Sequence, residues 1–267
     1  MVTPTTWKFD WQAGVWPFRA RNGRPFWLLW LVTLLALAGC NEPTIQPLRF
    51  NEAPWQAGEV STYRITDLND NYAGTARFDI LARPEGGWTI RREISAQGVQ
   101  EIVTVDVGDK GLRPARTLMV RVGDDGQEEV ETIYASGQVD LRLTTKQDVT
   151  TYQRVNVPSD VRDVRTLPLL ARTLPLEEGY ATRLNSFLPV SATLDRVTLE
   201  VLKRETVQVP AGTFDTWLVE IQGSGRKTRL WIGVEPPHLL VKFVDGHSQG
   251  TFELTQFEAG KPGQQEP

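Results

Sequence analysis

Apolar and polar residues alternate with a period of two through most of the chain beyond its N-terminal quarter. Val139, Leu141 and Leu143, for example, alternate with Asp140 and Arg142, and the pattern returns in other segments. Because successive side chains of a β-strand point to opposite faces, the pattern places apolar residues on one face of a sheet and charged residues on the other. It is typical of an antiparallel sheet with one face in water.

Short segments that contain glycine separate these alternating runs. The candidate turns are at residues 84–87, 108–111, 123–126, 210–212, 223–225 and 245–247. Their glycines can adopt the positive φ that tight hairpins need. About a dozen strands joined by short turns predict a mainly β fold, a large antiparallel meander forming a single domain from residue 59 to residue 258. Such a sheet must curl into a half-barrel or a barrel to bury its apolar face.

The segment from residue 158 to residue 180 breaks the alternation. Ser159 or Asp160 can cap a helix, and apolar residues follow at a spacing of three, which predicts a short helical insert near 160–175. Such an insert covers part of the sheet, and two interpretations are open. It is either a plug over the open end of the core or a lid over an apolar ligand cavity. Its candidate residues are Val161, Val164, Leu167, Leu170 and Leu174.

The alternation also blurs in the C-terminal strands, between residues 216 and 244. Four apolar residues there have the opposite phase to the main apolar series, and they are Leu218, Trp231, Leu240 and Val244. Strands that are apolar at both phases are typically covered on both faces. The helical insert, the segment before the sheet or a second molecule could supply the cover. In the last case the four residues form an outer apolar patch for a partner protein.

The N-terminal region contains a 14-residue apolar run, residues 26–39, which three arginines precede. As a helix it would span about 21 Å at about 1.5 Å per residue, which is short against about 30 Å of bilayer hydrocarbon. A positive segment followed by a short apolar run is typical of a secretory signal peptide. We therefore expect residues 1–39 to be a cleaved leader.

The last four residues of this region, Leu37-Ala38-Gly39-Cys40, resemble a bacterial lipobox. The resemblance implies cleavage between Gly39 and Cys40 and attachment of diacylglycerol to the Cys40 sulfur. Such acyl chains would anchor the protein to a membrane. The alternatives are an ordinary cleaved signal and a tilted anchor helix that contains a cysteine by chance. The sequence does not distinguish the inner from the outer membrane.

The composition limits the classes of partner that the mature chain can bind. After cleavage it would carry 25 basic and 32 acidic residues, a net charge of −7, which argues against nucleic acid as a partner. Cys40 is the only cysteine, so no disulfide can form within one chain. Residues 40–58 are polar and contain three prolines, which predicts a tether, and residues 259–267 predict a disordered tail.

The sequence contains few candidate catalytic or metal-binding residues. His238 and His247 lie near turns at opposite ends of one predicted strand, too far apart to share a metal ion. The segment "DLNDN" at 67–71 resembles the start of a calcium loop, but Tyr72 replaces the required glycine, so a hairpin turn is the better interpretation. No group of nucleophile, base and orienting residue stands out. We predict no catalytic residues, no metal site and no cofactor.

Three C-terminal segments carry a family resemblance: "ETVQVPAGTFDTWLVEI", "RLWIGVEPPHLLVKF" and "GTFELTQF". They resemble an uncharacterised bacterial envelope family known only as a domain of unknown function, and the likeness spans roughly residues 58–257. The architecture is similar to that of the Lol-pathway lipoprotein carriers, whose curved antiparallel sheet holds acyl chains beneath a helical lid. The resemblance implies this fold and an apolar ligand class, and it implies no catalytic residues.

Two functions follow as hypotheses. The first is a non-enzymatic, lipid-anchored protein outside the cytoplasm that binds or shelters an apolar or amphipathic envelope molecule. The second is an envelope interaction scaffold with a solid β core and no small-molecule ligand. The interior volume of the sheet distinguishes them, because a void beneath residues 160–175 favours binding and a solid core favours the scaffold.

Overall fold

The computed structural model describes residues 43–261. The leader, Cys40 and residues 262–267 lie outside the described residues. The strands are β1 (Glu59–Thr66), β2 (Tyr72–Ala82), β3 (Trp88–Ala96), β4 (Val99–Val107), β5 (Pro114–Gly123), β6 (Gly126–Ala135), β7 (Gln138–Thr144), β8 (Thr150–Asn156), β9 (Arg162–Asp163), β10 (Ala181–Leu188), β11 (Thr193–Val209), β12 (Gly212–Gly223), β13 (Arg226–Gly233), β14 (Leu240–Val244) and β15 (Thr251–Glu258).

The helical elements are short. They are the 3₁₀ turns Val164–Thr166, Ala171–Thr173 and Pro189–Ser191 and the helix α1 (Leu167–Leu170). Within residues 43–261, none of the helices has the length and apolar character needed to cross a bilayer.

All fifteen strands form one sheet with the order β8-β7-β6-β5-β4-β3-β2-β1-β15-β14-β13-β12-β11-β10-β9. Two meanders therefore run outward from a central pair, β1 and β15, which are antiparallel neighbours. Among the named strands of residues 43–261, β9 and β10 alone pair in parallel. The prediction of a mainly β fold built as a large antiparallel meander is confirmed.

The alternation of burial explains why these residues form strands. In β4, Val103, Val105 and Val107 are at most 1 % exposed, and the residues between them are partly exposed. We call the face that carries such residues the inner face. Successive turns of a meander alternate between its two ends, which we call upper and lower. The upper turns are 67–71, 97–98, 124–125, 145–149, 189–192, 224–225 and 245–250. The lower turns are 83–87, 108–113, 136–137, 210–211 and 234–239.

The segment before β1 is not a free tether, so the prediction for residues 40–58 is corrected from residue 45 onward. Ile45 forms a β-bridge with Ala181, and the Asn51 amide donates to the Thr173 carbonyl at 2.6 Å. Trp55 is 3 % exposed and packs edge-on against Trp88, with 6.2 Å between ring centroids. The segment docks because its aromatic residues cover the lower end of the sheet, which its polar, proline-containing composition obscured.

The insert runs from β9 through α1 to Thr173 and lies against the inner face. Leu167, Leu170 and Leu174 are 3 %, 0 % and 1 % exposed, Val161 is 6 % exposed, and Val164 is half-buried. They belong to the same hydrophobic cluster as residues from both halves of the sheet. Pro168 stands in the first turn of α1, where its missing amide costs no hydrogen bond. The predicted helical insert near 160–175 is therefore present, as one short helix between 3₁₀ turns.

Candidate functional site

Asp163 fastens the start of the insert to β5 and β6. Its Oδ2 accepts hydrogen bonds from Thr117 Oγ1 and from the Tyr134 hydroxyl, both at 2.7 Å. Its Oδ1 accepts the Arg165 amide at 2.9 Å, which caps the first 3₁₀ turn. Burial, and then the negative charge of Asp163, raise the pKa of Tyr134 well above its ordinary value, so the phenol stays protonated and donates. Asp163 is 0 % exposed.

Arg172 fastens the end of the insert to β1. Its Nη1 lies 2.6 Å from Glu59 Oε1 and its Nη2 lies 3.2 Å from Glu59 Oε2, in a bidentate pair. The two side chains are 2 % and 3 % exposed. The Arg172 Nη2 also donates to the Pro237 carbonyl at 2.8 Å, and the guanidinium lies 5.1 Å from the centroid of the Trp55 ring. The insert therefore has a polar anchor at each end.

Side chains connect β10 to β6 across the interior of the sheet. β8 and β9 stand at the two ends of the strand order. Across the interior, the rings of Tyr134 in β6 and Phe187 in β10 pack edge-on with 6.3 Å between centroids. Most of β8 is exposed.

A charged cluster, Arg92, Glu101, Arg121 and Arg165, lies on and against the inner face. Arg92 follows the buried Ile90 at a spacing of two and pairs opposite the buried Val103, so it points inward. Glu101 accepts from Arg92 at 2.6 Å and from Arg121 at 2.5 Å. Glu101 and Arg121 each stand two residues from the upper end of their strands. The cluster therefore lies toward the upper end.

The charges of this cluster act on one another. Burial lowers the pKa of Arg92, Glu101 opposes this, and the charge of Arg165 lowers it further. Burial alone would raise the pKa of Glu101, but Arg92 and Arg121 outweigh it and hold the pKa below its usual value. Glu101 is therefore an anion at neutral pH whose acceptor oxygens are occupied.

The same cluster contains donors without acceptors. Arg92 Nε and Arg165 Nη1 are buried and have no hydrogen-bond partner among residues 43–261. The Arg165 side chain is 7 % exposed, its Nη2 donates to the weak acceptor Met119 Sδ at 3.2 Å, and its nearest carboxylate oxygen, Asp163 Oδ1, is 3.9 Å away. Buried donors are normally paired, so each exception calls for an explanation.

The sequence reasoning missed Arg92 and Arg165. For Arg92 a signal was available, because it replaces an apolar residue in the run of Trp88, Ile90 and Ile94. A charged residue at the inward phase of an alternating strand marks a group that must find a partner inside. For Arg165 there was no such signal, because the short insert has no sustained periodicity.

The structure places the predicted outer patch differently. Leu240 is 2 % exposed and pairs with Ile232 in the core, because the register shifts after Trp231, so its prediction as a patch residue is wrong. Leu218 is 8 % exposed and pairs opposite Trp231, whose indole Nε1 donates to Glu205 at 2.5 Å. Trp231 and Val244 are half-buried. These residues form no continuous exposed surface.

The remaining candidates lie in turns. Asp67 Oδ1 accepts the amides of Asn69 and Asn71 at 2.8 Å and 2.9 Å, so the predicted turn at 67–71 is confirmed. His238 lies in a lower turn and His247 in an upper turn. Over the described range 43–261, His, Cys, Asp and Glu side chains form no group of three suited to a metal ion.

A comparison of the sequence with known protein families identifies the family of this chain. Residues 62–255 match the family described as "Protein of unknown function (DUF3108)", which is more than half of the chain. The chain belongs to this family. Among curated proteins, no sequence matches the chain significantly. The DUF3108 match covers most of the sheet, from β1 to β15, together with the insert.

Solved structures resemble this DUF3108 chain in fold. A β-barrel-like protein of the domain of unknown function DUF1849 from Brucella abortus is 10 % identical, with a TM-score of 0.50 over 77 % of this chain and 98 % of that chain. A candidate exported protein with a YmcC-like fold from Bacteroides fragilis is 12 % identical, with a TM-score of 0.30 over 79 % and 100 % of the chains.

A candidate lipoprotein from Parabacteroides distasonis is 11 % identical, with a TM-score of 0.30 over 79 % of this chain and 100 % of that chain. At such identities the likeness concerns fold alone, and the first of these structures supports a barrel-like fold for the DUF3108 chain.

Proposed function

We propose that the protein is a lipid-anchored, non-enzymatic binding protein outside the cytoplasm, whose inner sheet face holds an apolar or amphipathic envelope molecule. One observation carries the proposal. The inner face is covered by a short insert with polar anchors at Asp163 and Arg172, and not by a second sheet. An acyl chain that replaces insert leucines keeps this face buried, so the cost of displacement is the exposure of those leucines.

The proposed anchor would keep the domain close to the membrane. Docked residues begin at Ile45, five residues after Cys40. An extended chain spans at most about 3.3–3.6 Å per residue, so the linker reaches about 18 Å. A binding domain held at this distance from the bilayer can exchange a lipid with it directly. The lipobox Leu37-Ala38-Gly39-Cys40 is the support for the anchor.

Mass spectrometry of the mature N-terminus tests the anchor. We expect the wild-type chain to begin at Cys40 and to carry the mass of a diacylglycerol on sulfur. Cys40→Ser removes the nucleophilic sulfur, so this variant should retain residues 1–39 and gain no lipid mass. A wild-type chain with a free Cys40 thiol, or with its leader intact, would contradict the lipid anchor.

Native mass spectrometry of the full chain, extracted in mild nonionic detergent, tests the binding site. We expect a copurifying lipid in the wild-type protein. Ile94 is a half-buried inner-face residue beside Glu101, so Ile94→Trp should fill space there and reduce lipid occupancy at least about threefold. Ile133→Trp is the matched control, because Ile133 is 43 % exposed on the opposite face. Its occupancy should equal that of the wild type.

The binding proposal fails if the folded wild-type chain holds no lipid and takes up no apolar fluorescent probe. The second candidate, an interaction scaffold, then becomes the better account. It is favoured by the exposed edge strand β8, where Val149 and Tyr152 at its margin are 56 % and 78 % exposed. An unpaired edge can accept a strand from a partner. Crosslinking at position 152 in intact cells would identify such a partner.

A further inference from the structure

The interior contains more hydrogen-bond donors than acceptors near Arg92 and Arg165. Both Glu101 oxygens accept from arginines, and both Asp163 oxygens accept from insert or sheet donors. Arg92 Nε and Arg165 Nη1 remain buried without a partner in the part of the chain that the structure describes. An added group that fits this cluster must therefore be an acceptor.

We propose that Arg92 and Arg165 bind the acidic oxyanion group, a carboxylate or a phosphate, of the molecule that occupies the sheet interior. The inference rests on the proposed function, and it adds the chemical class of the ligand. A guanidinium group presents planar N–H donors that match the oxygens of carboxylate and phosphate. The ligand is then an anionic amphiphile, such as a fatty acid or an acidic phospholipid.

The position of the cluster agrees with an amphiphile. It lies toward the upper end of the sheet, whereas the insert that carries Leu167 and Leu170 ends at Arg172, which bonds to Glu59 and the Pro237 carbonyl at the lower end. A head group at Arg92 and Arg165 can therefore remain near the upper end while its acyl chain contacts the inner face. Arg92, Arg121 and Arg165 stand beside Glu101, Glu128 and Asp163, and the charge of Asp245 also acts on Arg92. The surplus is therefore of free donors and not of positive charge.

Competition binding on the full chain in nonionic detergent tests the inference. The probes are dodecanoate, dodecyl phosphate, dodecanol of the same chain length, and inorganic phosphate. We expect the wild-type protein to bind the two anionic amphiphiles at least about tenfold more tightly than dodecanol, because charge-assisted hydrogen bonds inside a protein carry this much free energy. Inorganic phosphate should not compete, because it has no apolar chain.

The variants Arg92→Gln and Arg165→Gln should reduce this preference to less than about threefold, since each removes a charged donor. The change Arg165→Gln removes the bond to Met119 Sδ and the cation 3.9 Å from the buried Asp163 carboxylate, so circular dichroism and urea unfolding must show that the variant tested is folded. Arg165→Lys keeps the charge and should restore part of the preference. The matched control is Arg91→Gln, because Arg91 lies on the opposite face of β3 and pairs with Glu93.

Each outcome has one meaning. If dodecanol binds as tightly as dodecanoate, or if Arg165→Gln keeps the wild-type preference, the inference is overturned while the proposed function stands. If no amphiphile binds to the folded wild-type chain, the proposed function fails and the inference with it. If inorganic phosphate competes as well as dodecyl phosphate, the inference of an anionic amphiphile is overturned, because the acyl chain then adds nothing to binding.

Discussion

Replacing Glu59 by Gln is expected to lower the free energy of unfolding by about 3–5 kcal/mol. The substitution leaves the Arg172 guanidinium buried without its counter-charge, at a position where its side chain is 2 % exposed. Such an uncompensated charge is much more costly than the loss of an exposed pair. Denaturant unfolding followed by tryptophan fluorescence measures the change, since Trp55 packs against Arg172.

Two further variants make this result specific. Glu177→Gln is the control, because the Arg49–Glu177 pair is long at 3.8 Å and its side chains are 58 % and 65 % exposed, so the loss should stay below about 1 kcal/mol. The double variant Glu59→Met with Arg172→Met removes both charges and should recover much of the stability lost by Glu59→Gln. If Glu59→Gln costs no more than Glu177→Gln, the buried pair does not anchor the insert.

Replacing Asp163 by Ala is expected to cost about 3–5 kcal/mol of unfolding free energy, because three donors lose a charged acceptor at once. They are Thr117 Oγ1, the Tyr134 hydroxyl and the Arg165 amide. Water does not reach the Asp163 carboxylate to take its place, since Asp163 is 0 % exposed. Equilibrium unfolding in urea measures the loss.

Asp160→Ala is the matched control for this substitution. Asp160 precedes Asp163 by three residues, but its carboxylate is exposed and bonds only to the Asn185 amide group, at 3.0 Å. The control should change the unfolding free energy by less than about 0.5 kcal/mol. Equal losses in the two variants would show that Asp163 does not hold the insert to β5 and β6.

The two anchors matter for function because they bracket the insert. Asp163 holds its start against β5 and β6, and Arg172 holds its end against β1. Between them Leu167, Leu170 and neighbouring residues make apolar, non-directional contacts. Apolar contacts can be replaced by an acyl chain, and hydrogen-bonded anchors cannot. An acyl chain could therefore displace the central residues of the insert while Asp163 and Arg172 remain bound to the sheet.

The strands and most turns were determined by local sequence. The period-two alternation predicts a domain from residue 59 to residue 258, and the first strand begins at Glu59 and the last ends at Glu258. Turn glycines act locally in the same way. Gly87, in the turn before β3, has a φ of +87°, which glycine adopts without a steric cost. Such constraints involve one strand or one turn, so they can be predicted from the sequence without knowledge of the tertiary structure.

Other features were decided only by the tertiary structure, because they join residues far apart in the chain. Glu59 and Arg172 are separated by 113 residues, and nothing near either one indicates the pair. The sequence places Trp55 in a predicted tether. Its burial depends on the lower end of the sheet, which exists only in the folded protein. Leu240 changed faces through a register shift that depends on its neighbour β13. Periodicity predicts which side of its own strand a residue occupies, and only the assembled sheet determines what that side meets.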